Sequence, residues 1–308
     1  MLGEGDSESI IIEEQGPRDG FQSEHRLVPT AQKLEWISSL IESGITRVQV
    51  ASFVHPKRVP QMADAEAVCA GLSGIGGGIF SGLVLNLRGV ERAIAAGLSH
   101  VAISHSASDT HSRKNTRLGL DEAQTAVASM VARAKDAGLR VRGGVQCAFG
   151  CRSEGRIDPD AVLAMVERQL KTGVDELALA DSTGMADPRS LRDLMRRVLP
   201  LAEGRPVFLH LHDTEGRGMA NALAAMDVGV RHFDTALAGM GGCPYIKGAS
   251  GNISTEDLVC MAHQMGFRTG IDPRKVAAIS AEVESFFARP FPGKMHRVLA
   301  NPHLATLV

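Results

Sequence analysis

Two histidines, His210 and His212, sit two residues apart in the apolar run Phe208-Leu-His-Leu-His212. In a β-strand, residues i and i+2 project to the same face, so both imidazoles would converge on one point. Neutral imidazole is a common ligand for divalent ions. An isolated His-x-His reads equally well as two core histidines satisfied by hydrogen bonds. Near the start of the chain, Arg18 and Asp19 stand side by side in the turn Gly16-Pro-Arg-Asp-Gly20. Asp19 has a plain reading as a turn carboxylate; an Arg and an Asp that both point inward would suit an anionic ligand. One Asp with two His makes an N₂O set suited to an ion used as a Lewis acid. Asn252 could add an amide oxygen. Mixed N/O ligands without thiolate favour Mg²⁺ or Mn²⁺ over structural Zn²⁺. The Gly-rich segment from Gly239 to Gly251 predicts a mobile loop able to fold over a ligand. Cys243 lies near its tip. A thiol beside cations can ionise and act as acid or nucleophile, although on its own it reads as an incidental cysteine.

The elements that must carry these residues alternate. Short β-rich runs and amphipathic helical runs succeed one another as eight strand–helix units, several with Gly closing the helix just before the next strand. Strands are expected near 10–14, 46–53, 77–86, 100–105, 139–148, 175–181, 207–212 and 232–235. Asp158-Pro159 and Asp187-Pro188 each read as an N-cap followed by Pro in the first turn. Eight repeats over this length fit a (β/α)₈ TIM barrel. A doubly wound sheet competes, but no G-x-G-x-x-G turn follows the first strand. The chain reads as a single catalytic domain over 1–308. Its barrel spans about 10–265, and a helical C-terminal extension spans about 272–308, with Pro290, Pro292 and Pro302 marking turns. Chemistry in such a barrel sits at the C-terminal ends of the strands. Asp19 of strand one and the histidines of strand seven come close there, because strands one and eight pair.

Composition narrows the function classes. The 308 residues carry 33 basic and 35 acidic side chains, a net charge of −2, so no electrostatic footprint for nucleic acid is present. No apolar run approaches a membrane span. The acidic N-terminus has no apolar segment of a targeting signal. Five cysteines without disulfide spacing suit a reducing compartment, and a cytoplasmic location is expected. Cys147 and Cys151 are expected to be buried thiols. His105, Asp109 and His111 are expected on a solvated loop after strand four.

Four stretches carry a family likeness. Glu14-Gln-Gly-Pro-Arg-Asp-Gly-Phe-Gln22, Ser52-Phe-Val-His-Pro-Lys-Arg-Val-Pro-Gln-Met62, Val207–Thr214 and Gly241-Gly-Cys-Pro-Tyr through Asn252 to Asp257 resemble the 3-hydroxy-3-methylglutaryl-CoA lyase family, over roughly residues 10–290. The resemblance implies a TIM barrel and a divalent metal, Mg²⁺ or Mn²⁺, on Asp19, His210, His212 and Asn252. It implies that Arg18 steadies an enolate oxygen, that Cys243 moves a proton and that Glu256 supports the site. Gln49 and Asp181 fall at site positions, and Asn115 lies in a loop that matches the family's and would meet substrate or CoA. The implied reaction is retro-Claisen cleavage of a 3-hydroxy-3-methylglutaryl-CoA-like ester to acetyl-CoA and a keto acid, acetoacetate for the standard substrate. Basic Arg26, Lys57 and Arg58 could meet CoA phosphates. No nucleic-acid or membrane partner is expected, and the oligomeric state, a homodimer included, is open. Two positions depart from the family: Gln49 stands where family members have glutamate, and Gly144 where they have tyrosine. Gln49 loses a negative charge, and Gly144 would open space. Together they point to an alternative: a different or bulkier acyl group, such as a citramalyl or longer branched one, or weakened activity on the usual substrate. An inactive CoA- or metal-binding relative is the alternative from another class.

Overall fold

In the computed structural model, which describes residues 9–242 and 251–301, eight parallel strands close into a barrel in chain order. They are β1 Ile11–Glu14, β2 Arg47–Ser52, β3 Ile79–Val84, β4 His100–Ser106, β5 Arg140–Gln146, β6 Glu176–Asp181, β7 Val207–Leu211 and β8 His232–Thr235. β1 and β8 seal the barrel, from Ile11 opposite His232 to Glu14 opposite Thr235. The helices are α1 Thr30–Glu42, α2 Ala65–Gly71, α3 Leu87–Ala95, α4 Asp109–Thr116, α5 Leu120–Asp136, α6 Pro159–Lys171, α7 Pro188–Leu201, α8 Gly218–Asp227, α9 Thr255–Gln264, α10 Pro273–Phe287 and α11 Met295–Ala300. The (β/α)₈ architecture expected from the alternation is the one observed. No described helix is long and apolar enough to cross a membrane.

Local chemistry explains the elements. In α7 the Asp187 side chain accepts from the backbone N–H groups of Arg189 and Ser190, both at 3.0 Å, and Pro188 occupies the first turn. Leu191, Leu194, Met195 and Val198 then recur at helical spacing and are buried. Gly44 ends α1 with φ 98°, and a Cβ there would come within 2.1 Å of the Gly270 carbonyl oxygen. That position requires glycine on both counts.

Two segments differ from the sequence reading. The stretch after β4 is a helix, α4, rather than a solvated loop. Ser108 caps it, its hydroxyl accepting from the His111 N–H at 3.1 Å. Ser112 is its one buried residue, so no apolar stripe betrays it. His105, at the end of β4, is 3% exposed, with its ring between Gln124 and Gln169 at 3.0 and 3.1 Å. Burial pushes it down to about 4, against the Gln124 contact. Second, the turn after β1 is a single π-type turn in which the N–H groups of Arg18, Asp19 and Gly20 converge on the Gln15 carbonyl at 3.1, 2.7 and 3.2 Å.

The apolar core lies between the barrel and its helices. Beyond the eighth unit, α10 returns to α1, where the Trp36 and Phe286 rings meet edge-on at 5.5 Å. Burying large rings of this kind contributes about 1.5–3 kcal/mol each. Inside the barrel the filling is charged. Arg47 reaches Glu13 at 3.0 Å and grips Glu176 with two nitrogens, at 3.0 and 2.7 Å. Arg142 grips Asp234 in the same way, at 2.8 and 3.2 Å, and lies 3.4 Å from Glu13. The Arg47 and Arg142 guanidinium carbons lie 4.8 and 4.7 Å from the Phe208 ring centre. Nothing in the spacing of these residues announces this layer. Each looks like an ordinary surface charge in the sequence.

Candidate active site

Three pieces of chain meet at the C-terminal end of the barrel. The π-type turn after β1 presents Arg18 and Asp19. β7 presents His210, and His212 follows one residue past its end. The third piece is the segment returning from the loop after β8. Asn252 forms a two-residue bridge with His212, and Ala236 bridges Ser254. The backbone bonds Asp213 N–H to Gly251 O at 2.8 Å and Ile253 N–H to Leu211 O at 3.1 Å hold this segment against β7. Two glycines permit the approach. A Cβ on Gly251 would lie 2.3 Å from the Gly241 carbonyl carbon, and one on Gly241 would lie 2.5 Å from Asn252 Nδ2. Gly241 also has φ 104°.

Glu14 ties the turn and the returning loop together, a role the sequence reading missed. Its buried carboxylate accepts from Gly16 N–H at 2.7 Å and Leu237 N–H at 2.8 Å, and from the Thr255 hydroxyl. Burial pushes Glu14 up to about 7, against the pull of those donors. The available signal was an acidic residue closing an apolar strand immediately before the Gly-Pro turn.

One oxygen of Asp19 and one nitrogen of each histidine lie within 4.8 Å of one another. Asp19 Oδ2 is 3.9 Å from His210 Nε2 and 4.0 Å from His212 Nε2, and the two Nε2 atoms are 3.2 Å apart. Asn252 Nδ2 donates to Asp19 Oδ2 at 2.8 Å and to the Met240 carbonyl at 3.0 Å, while its buried Oδ1 accepts no hydrogen bond among the described residues. Arg18 is held at three nitrogens, by Gln49 Oε1, by Asp19 Oδ1 and by Gln15 Oε1 at 2.9 Å. Burial opposes charge on Asp19, but the Arg18 guanidinium beside it, the largest opposing influence, helps hold the carboxyl far below its usual range. Burial, then neighbouring His210, pushes His212 down to about 4, which keeps its imidazole neutral. The donor set is one carboxylate, two imidazoles converging by Nε2, and a buried amide oxygen lacking a partner among the described residues. It fits a divalent cation.

A cavity of about 1350 Å³ opens over this cluster. Arg18, Asp19, Gln49, Asn115, His210 and His212 all line it. Asn115 Nδ2 sits 3.4 Å from Gln146 Oε1, and Gln146 donates to Ser104 Oγ at 2.8 Å. Two of the expected site residues point elsewhere. The Asp181 carboxylate accepts from Met185 and Ala186 N–H at 2.9 and 3.0 Å. It therefore shapes the loop after β6, and burial pushes it up to about 6. Glu256, 0% exposed, accepts from Ala238 N–H at 3.1 Å and faces His296 at 3.1 Å. It supports the loop after β8 from behind. Cys243 lies outside the described residues. The mouth has a contribution that the sequence did not suggest: the bend between α10 and α11 brings Arg289, Pro290, Phe291 and Pro292 to the cavity rim.

Residues 9–283 match the family model described as HMGL-like. The chain belongs to the HMGL-like family. It is 39% identical to the rat "3-hydroxy-3-methylglutaryl-CoA lyase, cytoplasmic" over 87% of this chain and 78% of the relative. It is likewise 39% identical to the bovine "Hydroxymethylglutaryl-CoA lyase, mitochondrial", over 88% and 84%. An HMG-CoA lyase structure from Acinetobacter baumannii, in complex with coenzyme A and 3-methylmalate, superposes with a TM-score of 0.91 at 37% identity, covering 96% of each chain. The Bacillus subtilis HMG-CoA lyase gives a TM-score of 0.92 at 33% identity, over 96% of this chain and 99% of that one. Within this HMGL-like chain, Gln49 offers Arg18 a neutral acceptor. Gly144 lines the cavity, and a Cβ added there would lie 2.8 Å from Ser104 Cβ. The space gained by having no side chain at Gly144 is thus partly taken up by Ser104.

Proposed function

We propose that the protein is a carbon–carbon lyase that cleaves a 3-hydroxy-3-methylglutaryl-CoA-like thioester by retro-Claisen chemistry. Asp19, His210, His212 and Asn252 would hold a divalent ion, Mg²⁺ or Mn²⁺. The observation that carries this reading is the convergence of Asp19, His210 and His212 beside a fixed Arg18 in the barrel-mouth cavity. When bound, the ion supplies Lewis-acid polarisation of the substrate's oxygens.

The chain's own residues do the rest. The proton of the substrate's 3-hydroxyl passes to a basic group of the Asp19–His210–His212 cluster. The C2–C3 bonding pair moves into the thioester, so C3 becomes the ketone of the released keto acid and the CoA fragment becomes an enolate. Arg18, fixed by Gln49, Asp19 and Gln15, holds positive charge where the enolate oxygen develops. Protonation at the enolate carbon gives acetyl-CoA. Cys243 is our candidate donor for that proton, on the match of its loop to the family. Buried free thiols at Cys69, Cys147, Cys151 and Cys260 accord with a reducing compartment.

A second reading concerns the acyl group. Ala102, Ser104, Gly144, Ala178 and Ala180 make one wall of the cavity from small side chains, which favours a bulkier 3-hydroxyacyl group than the standard one. Mass spectrometry of products from a panel of 3-hydroxyacyl-CoA esters with Mg²⁺ or Mn²⁺ tests both. Acetyl-CoA and acetoacetate from the 3-hydroxy-3-methylglutaryl ester are expected. Turnover of no ester in the panel contradicts the lyase reading. Turnover of that ester alone, without citramalyl or branched analogues, contradicts the second.

A further inference from the structure

We propose that Asp234 is the positioning residue for His210: its carboxylate takes the Nδ1–H of the imidazole and so directs the Nε2 lone pair toward Asp19 and His212. The inference rests on the metal-site reading above. Asp234 lies on β8 in register with His210 on β7, so strand pairing itself sets the two side chains side by side. Asp234 Oδ2 is 3.2 Å from His210 Nδ1. The carboxylate is 2% exposed, and the two terminal nitrogens of Arg142 grip both its oxygens. Arg142 is in turn steadied by Glu13 at 3.4 Å. A carboxylate clamped by a planar fork cannot swing away from the ring.

A neutral imidazole carries one N–H. An acceptor fixed at Nδ1 draws the proton there and leaves Nε2 as the ligand atom. Nε2 is the atom that faces Asp19 Oδ2 at 3.9 Å and His212 Nε2 at 3.2 Å. The charged layer inside the barrel therefore does more than fill space. Through Asp234 and the Arg142 that grips it, this side of the layer sets the orientation of one wall of the candidate metal site.

Two measurements on the full chain test this. In the metal-free protein, long-range ¹H–¹⁵N NMR, assigned by loss of the signal in His210→Asn, is expected to find the His210 proton on Nδ1. A proton on Nε2 with a bare Nδ1 overturns the proposal. Second, Mn²⁺ affinity is titrated by electron paramagnetic resonance for wild type, Asp234→Ala, Asp234→Asn and Arg47→Met. Asp234→Ala is expected to weaken Mn²⁺ binding about 10- to 100-fold. Asp234→Asn, whose amide oxygen can still accept from Nδ1–H, is expected to recover part of that loss. Arg47→Met, across the charged layer, is expected to lower the thermal midpoint and leave Mn²⁺ affinity unchanged. Undiminished affinity in both Asp234 variants, or equal weakening in Arg47→Met, overturns the positioning role alone. A folded wild-type protein that binds no Mn²⁺ overturns the metal reading and this inference with it.

Discussion

Two sets of buried charges share this barrel, and they differ in how they are completed. Across the barrel interior, Glu13, Arg47, Arg142, Glu176 and Asp234 pair with one another, with doubly hydrogen-bonded guanidinium–carboxylate pairs and an intervening Phe208 ring. At the C-terminal ends, the ring nitrogens of His210 and His212 meet each other at 3.2 Å, and the Asn252 Oδ1 has no partner among the described residues. Burying charge is costly in both places. The first set offsets the cost largely within itself and meets the second where Asp234 faces His210 at 3.2 Å. The second leaves it to be offset by something that binds. Burial and charge alone do not mark a functional site; an incomplete set of partners does.

The largest expected effect breaks the second set. Arg18→Met removes the charge held by Gln49, Asp19 and Gln15. It is expected to lower kcat by about 10²- to 10³-fold in a coupled acetyl-CoA assay, the usual loss of one preorganised donor. It should change the thermal midpoint little. The complementary change breaks the first set. Arg47→Met takes from the buried Glu176 its doubly bonded guanidinium and is expected to cost about 3–5 kcal/mol in denaturant unfolding. Its kcat should stay near wild type. If Arg47→Met unfolds no more easily than wild type, the first set is not completed in the way described.

Smaller effects sharpen the comparison. Gly144→Ala places a Cβ 2.8 Å from Ser104 Cβ. It is expected to destabilise by about 1–3 kcal/mol through overpacking and to raise KM for bulky esters more than for small ones. The double variant with Ser104→Gly should restore stability. Glu14→Gln probes the joint between the site and its scaffold. Burial raises Glu14 from 4.5 to about 7, so the folded protein holds that proton to higher pH than the unfolded chain does. Its contribution to stability is full below about 4.5 and is lost as pH rises toward 7. Wild-type unfolding free energy is therefore expected to fall over that interval relative to Glu14→Gln, in urea titrations at a series of pH values. Parallel pH profiles for the two proteins would remove the assignment.

The eight strands and the residues meeting at the mouth were legible in the sequence, because period-2 and period-3.6 patterns and Asp-Pro caps are local signals. The pair His210 and His212 was legible as one face of a strand. The carboxylate behind His210, Asp234, was not. The partnering of Asp234 with His210 depends on strand register across 24 residues, and the charged layer depends on five different strands. Asp181 and Glu256 show the converse. Each sits at the right end of its element, yet its carboxylate is taken up by backbone N–H groups of the adjoining loop. Helix α4 gives no such local signal, because Ser112 is its one buried residue and no apolar stripe runs along it.

The most direct test of the central claim is an equilibrium Mn²⁺ titration of wild type, His212→Ala and Arg47→Met, with folding checked by circular dichroism. One ion per chain is expected in wild type and in Arg47→Met, with binding lost in His212→Ala. Folded wild-type protein that binds no ion, or an affinity indifferent to His212→Ala, would contradict the account.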